Sequence, residues 1–425
     1  MFLSIRNKIF TNRNFGILFI ATVAVSLTND VLFHLGLIFI LAFIALTPIS
    51  NTTPKQHYLI FWLLVQYPIM LVVRRVIDWG IDLSFWENII RWIVISSFLL
   101  WLPKRDLTLS TRVVGLASAM ALIVSGIIAF YQVEILSVGR AGGTENPLNF
   151  GMFCVLFSAI VTYLLASQKG MNRFIQLLYA ISLPLGIAAI VYSGSRGPFL
   201  TYLIVIPLAL LLSFGKSIFT GKKWIYGSLM LGILILGAAY TAQKTGLIDR
   251  TINEFASYEQ TGTLTSAGAR IEMWKFSIDA FLQKPIFGVG LDYRPMQLQD
   301  GKYLTYSKAI NRYAHSHNEI FEALSKYGMI GFISISLVWL IPLITGRSKQ
   351  HRSLTKDQIN LMWLTNGSWA ISGLTQVHSH HTSGVTLWPL MFVIATMAWT
   401  SNGTAPVIKT NRKKNIKDLR FKVPL

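Results

Sequence analysis

Apolar residues in this chain run in long unbroken blocks; they do not alternate with a period of two or keep to one side of a helix. The blocks lie near 14–28, 31–49, 57–73, 86–102, 113–133, 148–167, 174–192, 199–214, 223–242, 328–346, 357–375 and 384–401. Most reach the roughly 17–25 residues that a helix needs to cross a hydrocarbon core. With no water in that core to satisfy backbone groups, such blocks must be helical, which predicts an all-α polytopic membrane protein of about twelve transmembrane helices. Asn29-Asp30 cuts the first stretch into a tight helical hairpin. The amino terminus shows no small-residue cleavage site, so the first span is expected to be retained.

One polar insertion, residues 243–326, interrupts an otherwise single integral membrane domain over 1–425. Loops of that length without a role are uncommon. Two short helices are expected inside it. Ala267 to Gln283 places Ile271, Trp274, Ile278 and Phe281 at helical spacing and stops before Pro285. A second begins near Asn318, with Ile320, Phe321, Leu324 and Tyr327 on one face, and Gly328 ends or loosens it where the next span starts.

Composition adds an orientation. The chain is 53% hydrophobic and 13% charged, against about 25% charged in soluble domains. The net charge of +20 could suggest nucleic acid, but Lys104, Arg105, Lys216, Lys222, Lys223, Arg347, Lys349 and the basic tail after Lys409 all fall on one side of the predicted spans. Short Lys/Arg-rich loops stay in the cytoplasm, so both termini are expected there, beside anionic lipid and not on nucleic acid, with 243–326 on the opposite face. The single cysteine, Cys154, lies in an apolar block and is expected to pack as a small core residue. Internal repeats are not evident, which weakens a transporter built from duplicated halves.

The candidate chemistry gathers on the outer face. Arg196 sits in the glycine-flanked turn Ser193-Gly194-Ser195-Arg196-Gly197-Pro198, where its planar fork suits a pair of phosphate oxygens and Ser195 adds a hydroxyl. An arginine snorkelling to headgroups is the plainer alternative. Arg270 and Trp274, one turn apart, share a helix face and could equally be an interfacial anchor. His317-Asn318 opens a helix, where the positive helix end and nearby arginines are expected to keep the imidazole a neutral base. His315 is expected to be structural or solvent-facing. The pairing of His315 with His317, and of His378 with His380 and His381, could invite a metal reading, but no HExxH pattern or thiolate set accompanies them. No metal and no cofactor are expected. There is no Asp-x-Asp motif for a nucleotide sugar either, which points to a lipid-linked donor.

These residues form a recognisable set. Ser193-Gly194-Ser195-Arg196-Gly197, Arg270-Ile271-Glu272-Met273-Trp274, Lys284-Pro285-Ile286-Phe287-Gly288-Val289-Gly290, and His317-Asn318 followed by Gly328-Met329-Ile330-Gly331 resemble motifs of the O-antigen ligase and polymerase superfamily. The loop Arg140 to Asn149 resembles a further upstream element. The ligase pattern continues its last piece with Thr-Gly, where this chain has Phe332-Ile333.

The resemblance implies an all-helical membrane glycosyltransferase of the C type (GT-C) in a bacterial inner membrane, its active site facing the periplasm. It implies a glycan donor on undecaprenyl pyrophosphate and, on the ligase side, transfer to a sugar hydroxyl of lipid A–core. Carried over, Arg196 and Arg270 hold the pyrophosphate, His317 is the general base, and Arg140, Ser195 and Asn318 assist substrate binding. An O-antigen polymerase, a protein O-oligosaccharyltransferase and a lipid-glycan transporter are the rivals. The transporter predicts critical charges within the spans, where only Arg91 and Asp30 are candidates.

Overall fold

The structure, a computed structural model, describes residues 11–399 apart from 50–51, 81–85, 106, 108, 169, 216–224, scattered positions up to 245, 262–264, 292–314 and 348–353. It is almost entirely helical. In order come α1 (Asn12–Ala24), α2 (Asp30–Leu46), α3 (Lys55–Trp79), α4 (Trp86–Lys104), α5 (Thr111–Phe130), α6 (Pro147–Ser167), α7 (Arg173–Tyr192) and α8 (Arg196–Phe214). They are followed by α9 (Leu247–Thr261), α10 (Ser266–Gln283), α11 (Glu319–Trp339), α12 (Ile341–Arg347), α13 (Lys356–Ser372) and α14 (Thr382–Met397). A two-residue parallel pairing of β1 (Leu109–Ser110) with β2 (Ala398–Trp399) ties the start of α5 to the end of α14.

Helix starts follow local chemistry. Asn29, Ser110, Asn146, Asn172, Thr265 and Asn318 each cap the helix that follows by accepting a backbone N–H. Thr355 and Gln358 form a reciprocal capping box at α13.

Among the described residues, α3, α5 with its π-helical extension to Ile135, α6, α7, α8 and α11 are the six helices long and apolar enough to cross a membrane. The chain is an all-α multi-pass membrane protein. The other predicted spans also coincide with helices, except 223–242, which lies largely outside the described residues, as do Lys216, Lys222, Lys223, Lys349 and the basic tail.

Burial sorts these helices into centre and rim. α6 is buried from Leu148 to Leu164 and α14 from Ser383 to Met397, as expected of helices apolar on every side at the middle of a bundle. Trp92 on α4, Trp369 on α13 and Trp388 on α14 pack on one another, ring centroids 3.8–5.8 Å apart. Rim helices turn large apolar side chains outward instead: Ile38 and Phe39 on α2, Phe174 and Leu177 on α7. Those faces suit lipid, not water.

α11 is two helices that meet at Gly328, as the sequence predicted: the outer helix and the following span are separated there by a backbone of φ 66°, ψ −156°. The break exposes backbone groups, and the segment Lys284–Gly290 satisfies them. Val289 and Gly290 donate to the carbonyls of Ser325 and Lys326, while Met329 donates to Pro285 O at 2.8 Å and Ile330 to Ile286 O. A Cβ at Gly328 would stand 2.4 Å from Ile286 O. The two glycine-bearing motifs are therefore the two sides of one close backbone contact. Arg74 and Asp78 on α3 clamp the same segment, Arg74 donating to Phe287 O and Asp78 accepting from Leu291 N.

Candidate active site

At one end of the bundle, the loop before α6, the α7–α8 turn, α9, α10 and the 315–318 segment meet around a cavity of about 270 Å³. Arg140, Arg196, Arg250, Arg270, Glu254 and His317 line it, with Ser195 among the remaining wall residues. So Arg140, Ser195, Arg196, Arg270 and His317, far apart in sequence, share one space.

Each cation is held differently. Gly194, at φ 58°, turns the chain sharply after Tyr192 and lets the Arg140 side chain lie against its backbone. Arg140 Nε then donates to Ser193 O at 2.8 Å, and its Nη2 donates to Ser195 Oγ. Ser195 thus serves Arg140 and not, as its position in the chain suggested, its neighbour Arg196. Burial first, then the fields of Arg250 and Arg196, hold the Arg140 guanidinium below its ordinary pKa. Arg196 forms a two-pronged pair with Glu254: Nη1 donates to Oε2 at 2.9 Å, and Nη2 donates to Oε1. Both partners are about one-fifth exposed. Glu254 Oε2 also accepts from Ala267 N, tying α9 to the start of α10.

Arg250 and Glu254 were not found from the sequence. They sit one turn apart on α9, a third helix in the insertion where two were expected. Its signal was an amphipathic run with Ile252 and Phe255 at helical spacing, hidden by a low overall hydrophobicity.

His317 comes from a strained segment. Its φ is +52°, a conformation uncommon for a residue with a side chain. Ser316 beside it is fully buried, donating through N and Oγ to Glu322 Oε2, at 2.8 and 2.9 Å, while its carbonyl accepts from Trp274 Nε1. Pinning Ser316 this way turns His317 toward the cavity, so strain is concentrated where a functional group must be aimed. His317 Nδ1 lies 3.2 Å from Gln376 Oε1.

Asn318 does not line the cavity. Its Oδ1 caps α11 by accepting from Ile320 and Phe321, and its Nδ2 donates to Leu374 O, so its side chain is committed to holding the fold.

His315 is not turned to solvent. Its ring stacks edge-to-face on His317 at 4.3 Å, and on His381 and His380 at 5.4 and 5.7 Å. Burial, with the neighbouring imidazoles His317 and His380, pushes its pKa down to about 2. His378 is buried against Trp369 and pushed down to about 3 by the same cause. Among the described residues, no three His, Cys, Asp or Glu side chains are arranged to hold a metal ion. Arg91 pairs with Glu87 and His34, and His34 with Asp30 at 3.1 Å, away from the cavity.

Beside the polar cavity opens an apolar pocket of about 360 Å³. Phe199, Leu200, Ile252, Phe255, Ile271 and Trp274 line it, and Arg196 and Arg270 belong to both walls. The arrangement sets a cationic cavity beside an apolar pocket, with an imidazole on the cationic side.

Comparison with known proteins falls on the same residues. Residues 181–336 match the O-antigen ligase family profile. An uncharacterised protein of Haemophilus influenzae is 26% identical over 260 residues, 58% of this chain and 64% of that one. The O-antigen ligase of Escherichia coli K12 is 24% identical over 267 residues, 60% of this chain and 59% of that one. The chain thus spans about three-fifths of the length of these curated relatives. The segment that matches the family profile carries Arg196, Arg270, His317 and both glycine motifs.

Proposed function

We propose that the protein is an O-antigen ligase, a metal-independent glycosyltransferase that moves a preassembled glycan from undecaprenyl pyrophosphate to a sugar hydroxyl of lipid A–core. The observation that carries it is the shared wall: Arg196 and Arg270 stand between a cavity with four arginines and an apolar pocket. An anionic head on a long apolar tail fits both at once. In the proposed reaction His317 takes the proton of the acceptor hydroxyl. The acceptor oxygen attacks the anomeric carbon, and the bond from that carbon to the pyrophosphate oxygen breaks, its electron pair leaving with undecaprenyl pyrophosphate. Arg196 and Arg270, joined by Arg140 and Arg250, offset the negative charge growing on the leaving group, a role that often exceeds the base in magnitude. A general base typically supplies about 10²–10⁴ in rate. Attack in line with departure inverts the anomeric centre.

The proposal includes the C-type fold with about twelve spans, both termini in the cytoplasm and the cavity in the periplasm of a bacterial inner membrane. A polymerase reading keeps the same donor chemistry with a lipid-linked acceptor, and Phe332-Ile333 in place of Thr-Gly favours keeping it in view. The lipopolysaccharide ladder of a deletion strain separates the two. Ligase loss leaves a bare core while polymer accumulates on undecaprenyl pyrophosphate; a core bearing a single repeat overturns the ligase in favour of the polymerase. Complementation with wild type but not His317→Ala is expected.

A further inference from the structure

The connection between α13 and α14 holds a side chain that neither the motifs nor the family match touches. Gln376 is buried, and its amide reaches three other side chains. Its Oε1 accepts from the backbone N–H of Val377 at 3.1 Å and lies 3.2 Å from His317 Nδ1. Its Nε2 donates to Asn149 Oδ1 at 3.1 Å and stands 3.0 Å from His381 Nε2.

The oxygen and nitrogen of a glutamine amide are interchangeable by shape, so a neighbour of fixed polarity has to decide between them. Val377 is that neighbour, because a backbone N–H can only donate. The Gln376 atom facing it is therefore the oxygen, and the same oxygen faces His317 Nδ1. A carbonyl oxygen can only accept, so His317 Nδ1 must carry a proton. In a neutral imidazole the lone pair then resides on Nε2. The amide nitrogen at the other end fixes His381 in the converse sense, with Nε2 as its acceptor.

From this geometry we infer that Gln376 is the positioning residue of the site: it locks His317 in the Nδ1–H tautomer and so assigns proton transfer to Nε2. The inference rests on the proposed role of His317 as base. It also gives a reason for a neutral amide at this position. A carboxylate there would stabilise the imidazolium and hold the base protonated at a higher pH, whereas an amide orients the ring without adding charge. The groups that set the titration of His317 are then those already around it. They are His315 on its own segment, Glu322 behind Ser316, His380 and His381 from the facing turn, and Arg140, Arg196, Arg250, Arg270 and Glu254 around the cavity.

The test uses full-length protein in nanodiscs with donor lipid and acceptor, measuring kcat and KM against pH for wild type, Gln376→Leu, Gln376→Glu and His317→Ala. Gln376→Leu removes the acceptor, and kcat is expected to fall by at least tenfold, within the about 10²–10⁴-fold that a base supplies, while KM for the donor stays within twofold. Gln376→Glu is expected to move the acid limb of kcat/KM upward by about one pH unit, which a merely structural role would not do. Should Gln376→Leu fail to fold, the pH profile of the near-isosteric Gln376→Glu decides alone. If His317→Ala is inactive while the acid limb of Gln376→Glu coincides with that of wild type, the tautomer assignment is overturned and the base survives. If His317→Ala transfers normally, the base itself is wrong, and the inference falls with it.

Discussion

Glu254→Gln is the perturbation whose outcome the cavity electrostatics fix most directly. The Glu254 carboxylate occupies the fork of Arg196 as a phosphate group would, in a cavity where four arginines face one acid. A pyrophosphate must displace that carboxylate or share the space with it. The cavity, at about 270 Å³, is roughly 8 Å across if taken as a sphere, and two unit charges at that separation interact by roughly 2 kcal/mol at an effective dielectric of about 20. Salt screening reduces this. Neutralising Glu254 is therefore expected to tighten binding of inorganic pyrophosphate, or of the donor lipid, about 5- to 30-fold. The empty protein should suffer in the opposite sense, since Arg196 loses its counterion among like charges, with a destabilisation of about 1–3 kcal/mol for a partly buried pair. Added pyrophosphate should restore that loss by mass action. Titrations of wild type and variant in nanodiscs at two salt concentrations, with thermal unfolding alongside, measure both effects. A well-folded Glu254→Gln that binds pyrophosphate no better, or worse, would show that Glu254 organises the arginines for the donor and does not compete with it.

Arg196→Lys and Arg270→Lys keep charge but lose the fork, so each should recover only part of the wild-type transfer and raise KM for the donor, whereas alanine at either position should lose most of both; full activity in the lysine variants would remove the case for forked recognition. Gly328→Ala brings a Cβ to 2.4 Å from Ile286 O at φ 66°, so a loss of about 1–3 kcal/mol is expected in thermal unfolding, and an unchanged melting temperature would mean that the contact with Lys284–Gly290 is slack. His315 and His378 have folded pKa values near 2 and 3, pushed down by burial. Their contribution to stability is therefore complete above about pH 6.5, where both states are neutral, and is lost as pH falls below it because only the unfolded chain takes up the protons. Unfolding midpoints between pH 8 and pH 4 should drop on the acid side, and less steeply in His378→Gln.

The pattern of apolar blocks by itself determined the helices of the bundle, because a hydrocarbon solvent leaves the backbone no alternative to internal hydrogen bonding. Helix caps such as Asn318 and Thr265 were equally local, since a side chain three residues away is all they need. The motifs also named Arg196, Arg270 and His317, and the fold brings them to one cavity. Tertiary structure alone decided the rest. Arg250, Glu254 and Gln376 take their meaning from partners far off in the chain: Glu254 from Arg196, and Gln376 from His317 and Asn149. No local pattern marks a residue whose role is set by an opposing charge or a distant lone pair. Gly328 and Gly288 show the two kinds of information meeting. Sequence marked both as glycines in motifs, but only the packed backbone shows that they face each other, where two main chains come too close for any side chain.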